Sequence, residues 1–205
     1  MSSPAGVVLA AGGGTRFGGP KALVQLRGET LLDRAVRTVR DGGCRPVVVV
    51  LGAQADAVRA VAHLDDTVVV ENAAWETGMA SSLRCGLDAA AALPAPAAVI
   101  ALVDQPDITA AAVERLVTRW RDGAAAVVAT YGGEPRNPVL LDAAVWADVA
   151  ARASGDVGAR AWLRAHPDRV VSVPCDDVAD AHDIDTLDDL QALHPDEQGT
   201  PESTR

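Results

Sequence analysis

Short unbroken apolar runs alternate along this chain with longer stretches whose apolar positions recur every three or four residues. The runs Gly6–Ala10, Pro46–Leu51, Thr67–Glu71, Ala98–Val103, Ala125–Thr130 and Arg169–Val173 predict strands. A run such as Val47-Val-Val-Val-Leu51 lacks polar alternation, as expected of a strand covered on both faces. The helical period predicts helices over Thr30–Arg40, Gln54–His63, Met79–Leu93, Ala110–Arg121, Ala143–Ala151, Gly158–His166 and Thr186–Ala192. Strands and helices taking turns form βαβ units. The expected fold is α/β: a single doubly wound, Rossmann-like domain over residues 1–192, with a mostly parallel central sheet. Residues 193–205 are polar and rich in Pro, Gly, Ser and Thr, and are expected to form a disordered acidic tail.

Composition narrows the class. Of 205 residues, 49% are hydrophobic but only 3% aromatic, so Ala, Val and Leu must build the core of one ordinary domain. No apolar run approaches the roughly 18 residues of a membrane span, and no secretory signal stands at the N-terminus, so a cytoplasmic location is expected. The net charge is −10, and Asp176–Arg205 alone holds ten acidic residues against one basic. Such a balance repels nucleic acid and anionic membranes, and neither is expected as a partner. An anionic ligand must therefore be held by a local site. Cys44, Cys85 and Cys175 show no metal-ligand spacing and read as free thiols. His63, His166, His182 and His194 form no metal motif either, and none is given a catalytic role.

Ligands of doubly wound sheets bind beyond the carboxyl ends of the strands. The first strand there breaks into Leu9-AAGGGTRFGGPKA-Leu23, with five glycines, one arginine and one lysine. It is not a dinucleotide fingerprint, because Phe17 stands where the third glycine belongs. It is not a P-loop, because Pro20 separates Gly19 from Lys21 and Ala22 replaces the hydroxyl residue. What remains is a loop of unhindered N–H groups able to cradle an anion. Arg16 can bridge two phosphate oxygens, and Lys21 adds a compact charge.

Asp104 follows the run Ala98–Val103 and is fixed by Pro106 two residues on. A carboxylate there is well placed to ligate Mg²⁺, which takes one or two carboxylates and fills its remaining positions with phosphate oxygens and water. The competing reading is that Asp104 or Asp107 caps the next helix, but Thr109 can do so itself and leaves Asp104 free for the metal. Asp183 and Asp185 offer a second carboxylate, with Asp185 or Thr186 equally able to cap the last helix; the residues alone do not separate the two aspartates. Gly78, Ser81 and Ser82 open a helix, and read either as its cap or as hydroxyls and N–H groups around a base or phosphate.

The loop resembles the signature L-A-[AG]-G-x-x-x-R-[MF]-G-x-x-K of the MobA-like nucleotidyltransferases. Gly78-MASSLRCG-Leu87, Leu102-VDQPDI-Thr109, Gly155-DVGA-Arg160 and Asp183-IDTLDD-Leu190 resemble further elements of that family in the same order, the last two those of its molybdenum cofactor cytidylyltransferase branch. The resemblance implies a nucleotide-diphospho-sugar transferase-like fold and a Mg²⁺-dependent transfer of CMP from CTP to a phosphorylated acceptor, molybdopterin or molybdenum cofactor. A molybdoenzyme receiving the product is implied as partner. Arg16, Lys21 and Asp104 are implied to be catalytic, with Asp104 and Asp185 the metal ligands. Leu9, Ala10, Ala11, Gly12, Gly13, Gly14, Thr15, Gly78, Ser81 and Ser82 are implied to hold the nucleotide. Ala11, where GTP-using relatives tend to have glycine, favours CTP. Asn137 stands where cytidylyltransferase relatives commonly have histidine, and with Asp156 is a candidate for the acceptor. A GTP-using relative, one with another phosphorylated acceptor, and a non-catalytic nucleotide-binding chaperone are the alternatives.

Overall fold

The structure is a computed structural model that describes residues 2–15 and 17–193. Arg16 and most of the predicted tail lie outside the described residues. Leu193, assigned by its sequence to that tail, instead ends the last helix and accepts a hydrogen bond from Arg27 on its carbonyl.

Seven strands form one sheet in the order β5 (Thr67–Glu71), β4 (Val47–Leu51), β1 (Ala5–Ala10), β6 (Ala97–Leu102), β8 (Glu134–Asp142), β7 (Ala126–Tyr131) and β9 (Val170–Pro174). All run parallel except β8, which is antiparallel to both neighbours. A separate two-stranded ribbon pairs β2 (Gln25–Leu26) with β3 (Glu29–Thr30). The order of β5, β4, β1 and β6 reverses the direction of chain progress between β1 and β6, the crevice where such sheets bind ligands.

β8 is the strand its sequence hides. Pro135 and Pro138 argue against a central strand, since proline cannot donate to the ladder. Two features accommodate them. The pairing with β7 slips between Val128 opposite Val139 and Ala129 opposite Arg136, which leaves Asn137 and Pro138 outside the register. The pairing with β6 stops at Val139 opposite Ile100, so Pro135 lies in the part of β8 that pairs only with β7.

Each face of the sheet carries its own core. On one, Val8, Val49 and Leu51 pack with Leu32 and Val36 of α1 (Leu31–Asp41), Val58 of α2 (Ala55–Val61) and Leu116 of α4 (Ala110–Arg121). On the other, Val7, Val50 and Ile100 pack with Leu83 and Leu87 of α3 (Met79–Ala91), Val149 of α5 (Trp146–Arg152) and Trp162 of α6 (Arg160–Ala165). Gly86 lets α3 lie close on the sheet, because a Cβ there would stand 2.5 Å from Val7 Cγ1. The last helix, α7 (Leu187–Ala192), follows the segment that crosses the end of β6. Among the described residues no helix is long and apolar enough to cross a membrane.

Candidate active site

The glycine loop leaves β1 and immediately closes on itself. The Gly14 carbonyl accepts from the N–H groups of Phe17, Gly18 and Gly19, at 2.9, 2.9 and 3.2 Å. Gly14 adopts φ +56°, and a Cβ on it would run into the Gly19 carbonyl. The second half of the loop is therefore an internal turn. Among the described residues the N–H groups of Gly12, Gly13 and Thr15 meet no acceptor, so the anion-binding capacity predicted for the whole loop resides in its first half. Trp75 braces this half from behind: its ring edge lies 3.1 Å from where a Cβ on Gly13 would sit.

Beyond the turn, Lys21 reaches back across the end of the sheet. Its Nζ donates to Asp104 Oδ2 at 3.0 Å and to Asp185 Oδ1 at 2.6 Å. Burial opposes the ammonium charge, but the hydrogen bonds and charges of Asp185 and Asp104 outweigh it and hold Lys21 above its ordinary value. Three residues far apart in the chain thus meet at one point.

Caps explain why both aspartates are free to do so. Thr109 Oγ1 accepts from Ala112 N at 3.4 Å and caps α4, which spares Asp104. Thr186 caps α7 in a reciprocal arrangement with Asp189, which spares Asp185. Asp183 points elsewhere. Its Oδ1 accepts from Gln105 Nε2 at 2.8 Å, and Asp185, not Asp183, lines the cleft.

Burial pushes the Asp183 carboxyl up; Gln105 opposes that rise, Asp104 and Asp185 add to it, and Arg136 opposes it more weakly. A carboxyl raised on folding favours the native state only while it is protonated, an advantage present below about pH 4 and lost as the pH climbs through the raised value. Asp183→Asn is expected to raise Tm at pH 7 and to melt with the native chain near pH 3. Melting curves across that range check this, and an equal difference at both ends would contradict it.

The cleft over this point has a volume of about 440 Å³. Leu9, Ala11, Gly12, Gly14, Thr15, Gly78 and Ser82 line it, and we call the hydrogen-bonded group of Lys21, Asp104 and Asp185 its floor. Asp156 is also part of the lining. Ala10, Gly13, Ser81 and Asn137 are not part of the lining. Asn137 sits at the slip in β8, at the end of the sheet where Asp104 emerges.

The start of α3 differs from the serine cap its sequence suggests. Met79 N donates to Asp156 Oδ1 at 3.2 Å, and Ala80 N to the Gly155 carbonyl at 2.8 Å. The 155–156 loop therefore consumes two N–H groups expected to be open to a ligand, and gives Asp156 a structural partner. Gly78 makes this approach possible: its φ is +105°, and a Cβ there would stand 2.6 Å from Gly155 backbone atoms. The serines turn instead to Asn72, whose Nδ2 donates to Ser81 Oγ at 2.7 Å and to Ser82 Oγ at 3.0 Å. Ser81 donates to the carbonyls of Ala74 and Gly78. The Ser82 hydroxyl hydrogen has no acceptor among the described residues, and this hydroxyl lines the cleft. Asn72 and Trp75 belong to no motif in the sequence. Their signal is positional, for both follow the carboxyl end of β5.

The described lining carries one cation, Lys21, against four carboxylates, Glu76, Asp104, Asp156 and Asp185. A polyphosphate entering alone meets net negative charge, whereas one entering with a divalent cation does not. Asp104 and Asp185 already share a single cation in the Lys21 ammonium, a donor pair suited to a metal that completes its shell with phosphate oxygens and water. Among the described residues no group of three or more His, Cys, Asp or Glu could hold a metal ion by itself.

A family model described as the MobA-like NTP transferase domain matches residues 6–170. The chain is 42% identical over 195 residues to nicotine blue oxidoreductase of Paenarthrobacter nicotinovorans, covering 92% of this chain and 95% of that protein. It is 41% identical over 128 residues to a probable molybdenum cofactor guanylyltransferase of Opitutus terrae, covering 62% of this chain and 60% of the relative. Among solved structures it is similar to Rv0371C of Mycobacterium tuberculosis H37Rv in complex with manganese, with a TM-score of 0.72, 31% identity, and coverage of 94% of this chain and 98% of that one.

Proposed function

Because the chain belongs to the MobA-like NTP transferase family, we propose that it transfers CMP from CTP to a phosphate-bearing acceptor, molybdopterin or molybdenum cofactor. A phosphate oxygen of the acceptor attacks the α-phosphorus. The bond from that phosphorus to the bridging oxygen breaks, and pyrophosphate leaves. The acceptor phosphate is already an anion, so no general base is needed. The observation that carries this reading is the convergence of Lys21, Asp104 and Asp185 on the floor of a nucleotide-sized cleft.

Asp104 and Asp185 hold Mg²⁺, which supplies charge stabilisation at the phosphates when bound. Gly12 and Thr15 offer backbone N–H groups to phosphate oxygens, Lys21 neutralises the charge that develops on the leaving group, and Arg16 is assigned the same task from the sequence motif. Ser82 offers its hydroxyl to the base. Ala11, buried beside Gly52, supports CTP over GTP through one methyl group, a difference worth about 1–3 kcal/mol. The guanylyltransferase relative makes GTP the alternative nucleotide.

The oxidoreductase relative favours a second reading, reduction of a small molecule by a pyridine dinucleotide in the same cleft. Paired carboxylates around a cation suit a metal that also binds phosphate oxygens, and Asp104 and Asp185 therefore support nucleotidyl transfer.

Thermal unfolding with CTP, GTP or NADH, each with and without Mg²⁺, separates these readings. CTP at about 100 times its Kd is expected to add about 2.7 kcal/mol, a rise of several degrees, and the excess of carboxylates in the described lining makes that rise depend on Mg²⁺ and fall away with EDTA. A Mg²⁺-dependent rise with GTP alone keeps the chemistry and changes the base. A metal-independent rise with NADH alone selects the redox reading. Pyrophosphate release in the presence of acceptor separates an enzyme from a nucleotide-binding chaperone.

A further inference from the structure

Asp183 and Asp185 flank Ile184 in a strap of chain that crosses the end of β6, and only one of them reaches the cleft. The strap is stitched antiparallel to the turn after β6. Thr109 Oγ1 donates to the Val178 carbonyl at 3.0 Å, Asp180 N to the Asp107 carbonyl at 3.3 Å, and Ile184 N to the Asp104 carbonyl at 2.9 Å. Ile184 is fully buried and anchors the strap in the core. These bonds place the strap at the metal floor, but a stretch of backbone carrying two aspartates can offer either.

Gln105 makes the choice. It is buried, at 7% exposure, and its Nε2 donates to Asp183 Oδ1 at 2.8 Å and to the Ala181 carbonyl at 3.4 Å. A carboxylate drawn partly out of water and left without a donor is costly, and this amide supplies one to the half-buried Asp183. From the far side, Asp189 Oδ2 accepts from Asp185 N at 2.9 Å and Thr186 N at 2.7 Å, which fixes the backbone of Asp185 as its side chain turns to Lys21. Resting on the proposed metal-dependent transfer, we infer that Gln105 is a positioning residue that sequesters Asp183 and thereby leaves Asp185 as the second carboxylate beside Asp104. Without its amide, Asp183 is left half-buried and unpartnered, turns toward the cation that Asp104 and Asp185 share, and drags the strap out of register.

Binding of Mn²⁺ alone to the full chain, read as loss of the free-ion electron paramagnetic resonance signal, tests this without turnover. Gln105→Met, which fills the same slot without a donor, is expected to weaken Mn²⁺ binding about 10–100-fold, the scale for losing a group that orients a ligand. Asp183→Asn alone is expected to change it less than about 2-fold, and Asp183→Asn in the Gln105→Met background to restore most of the loss, because the unpartnered carboxylate is gone. Unchanged binding in Gln105→Met overturns the inference. So does a loss that Asp183→Asn fails to restore, which would make Gln105 a packing residue only. A loss in Asp183→Asn as large as in Asp185→Asn overturns it too, since Asp183 would then be a ligand. If the native chain itself takes up no Mn²⁺, or if Asp185→Asn binds it normally, the metal reading beneath the inference falls. Should Gln105→Met fail to fold, Gln105→Asn, whose shorter amide does not span to Asp183, takes its place with the same expectations.

Discussion

The Asp104→Ala protein is expected to keep the native fold and to release pyrophosphate about 10²–10³ times more slowly, the scale for losing one group that stabilises developing charge. The two halves of that expectation have different sources. The fold survives because the backbone of residue 104, not its side chain, holds the strap: the carbonyl accepts from Ile184 N, and the carboxylate bonds only to Lys21 among the described residues. Lys21 is not orphaned either, because Asp185 still accepts from it at 2.6 Å. Under the proposed transfer, turnover falls because a single carboxylate, Asp185, is left to hold the metal beside the phosphates. Steady-state pyrophosphate release and a melting curve on the same preparation check both halves. Near-native turnover would remove Asp104 from the metal site.

Lys21→Ala is expected to cost a similar factor of about 10²–10³ in turnover, but with the opposite effect on metal. In the native chain the ammonium occupies the space between Asp104 and Asp185 and competes with any other cation there. Its removal leaves Asp104 and Asp185 without the cation they share and frees the space it held for a metal ion. Mn²⁺ affinity is therefore expected to hold or rise while turnover falls. A variant that loses both together would show that Lys21 supports the site only structurally. One that loses neither would show that the leaving phosphates are neutralised elsewhere.

The architecture was legible wherever one residue pattern had one cause. Strands buried on both faces read as unbroken Val, Ile and Leu, and all six predicted runs became strands within a residue or so. Thr109 was readable as a cap because a hydroxyl before an apolar-periodic stretch has few other uses, whereas Thr186 was readable only as one of two candidates with Asp185. β8 was hidden because its prolines are tolerated only through a slip in pairing and an end that outruns its neighbour, and neither is local to the sequence.

The floor of the site was half legible for a related reason. The spacing of Asp183 and Asp185 is symmetric about a buried isoleucine, and the choice between them is made by Gln105, far away in the chain. The serines of α3 were ambiguous between cap and ligand, and the structure divides them. Ser81 is taken up by Asn72 and two carbonyls, and Ser82 keeps a hydrogen for the cleft. The glycine loop announced an anion site, but not that the Gly14 carbonyl withdraws three of its N–H groups.

The strap also sets a timetable. Lys21 and Asp185 lie 164 residues apart, so at about 5–20 residues per second on the ribosome the second carboxylate emerges roughly 8–33 s after the lysine it meets. Every strand of the sheet is made before it. A nascent chain can thus assemble the whole scaffold, glycine loop included, while its candidate site still lacks one carboxylate of the floor. The segment that completes the floor follows every strand of the sheet, and a chain made only that far presents Asp104 and Lys21 without Asp185.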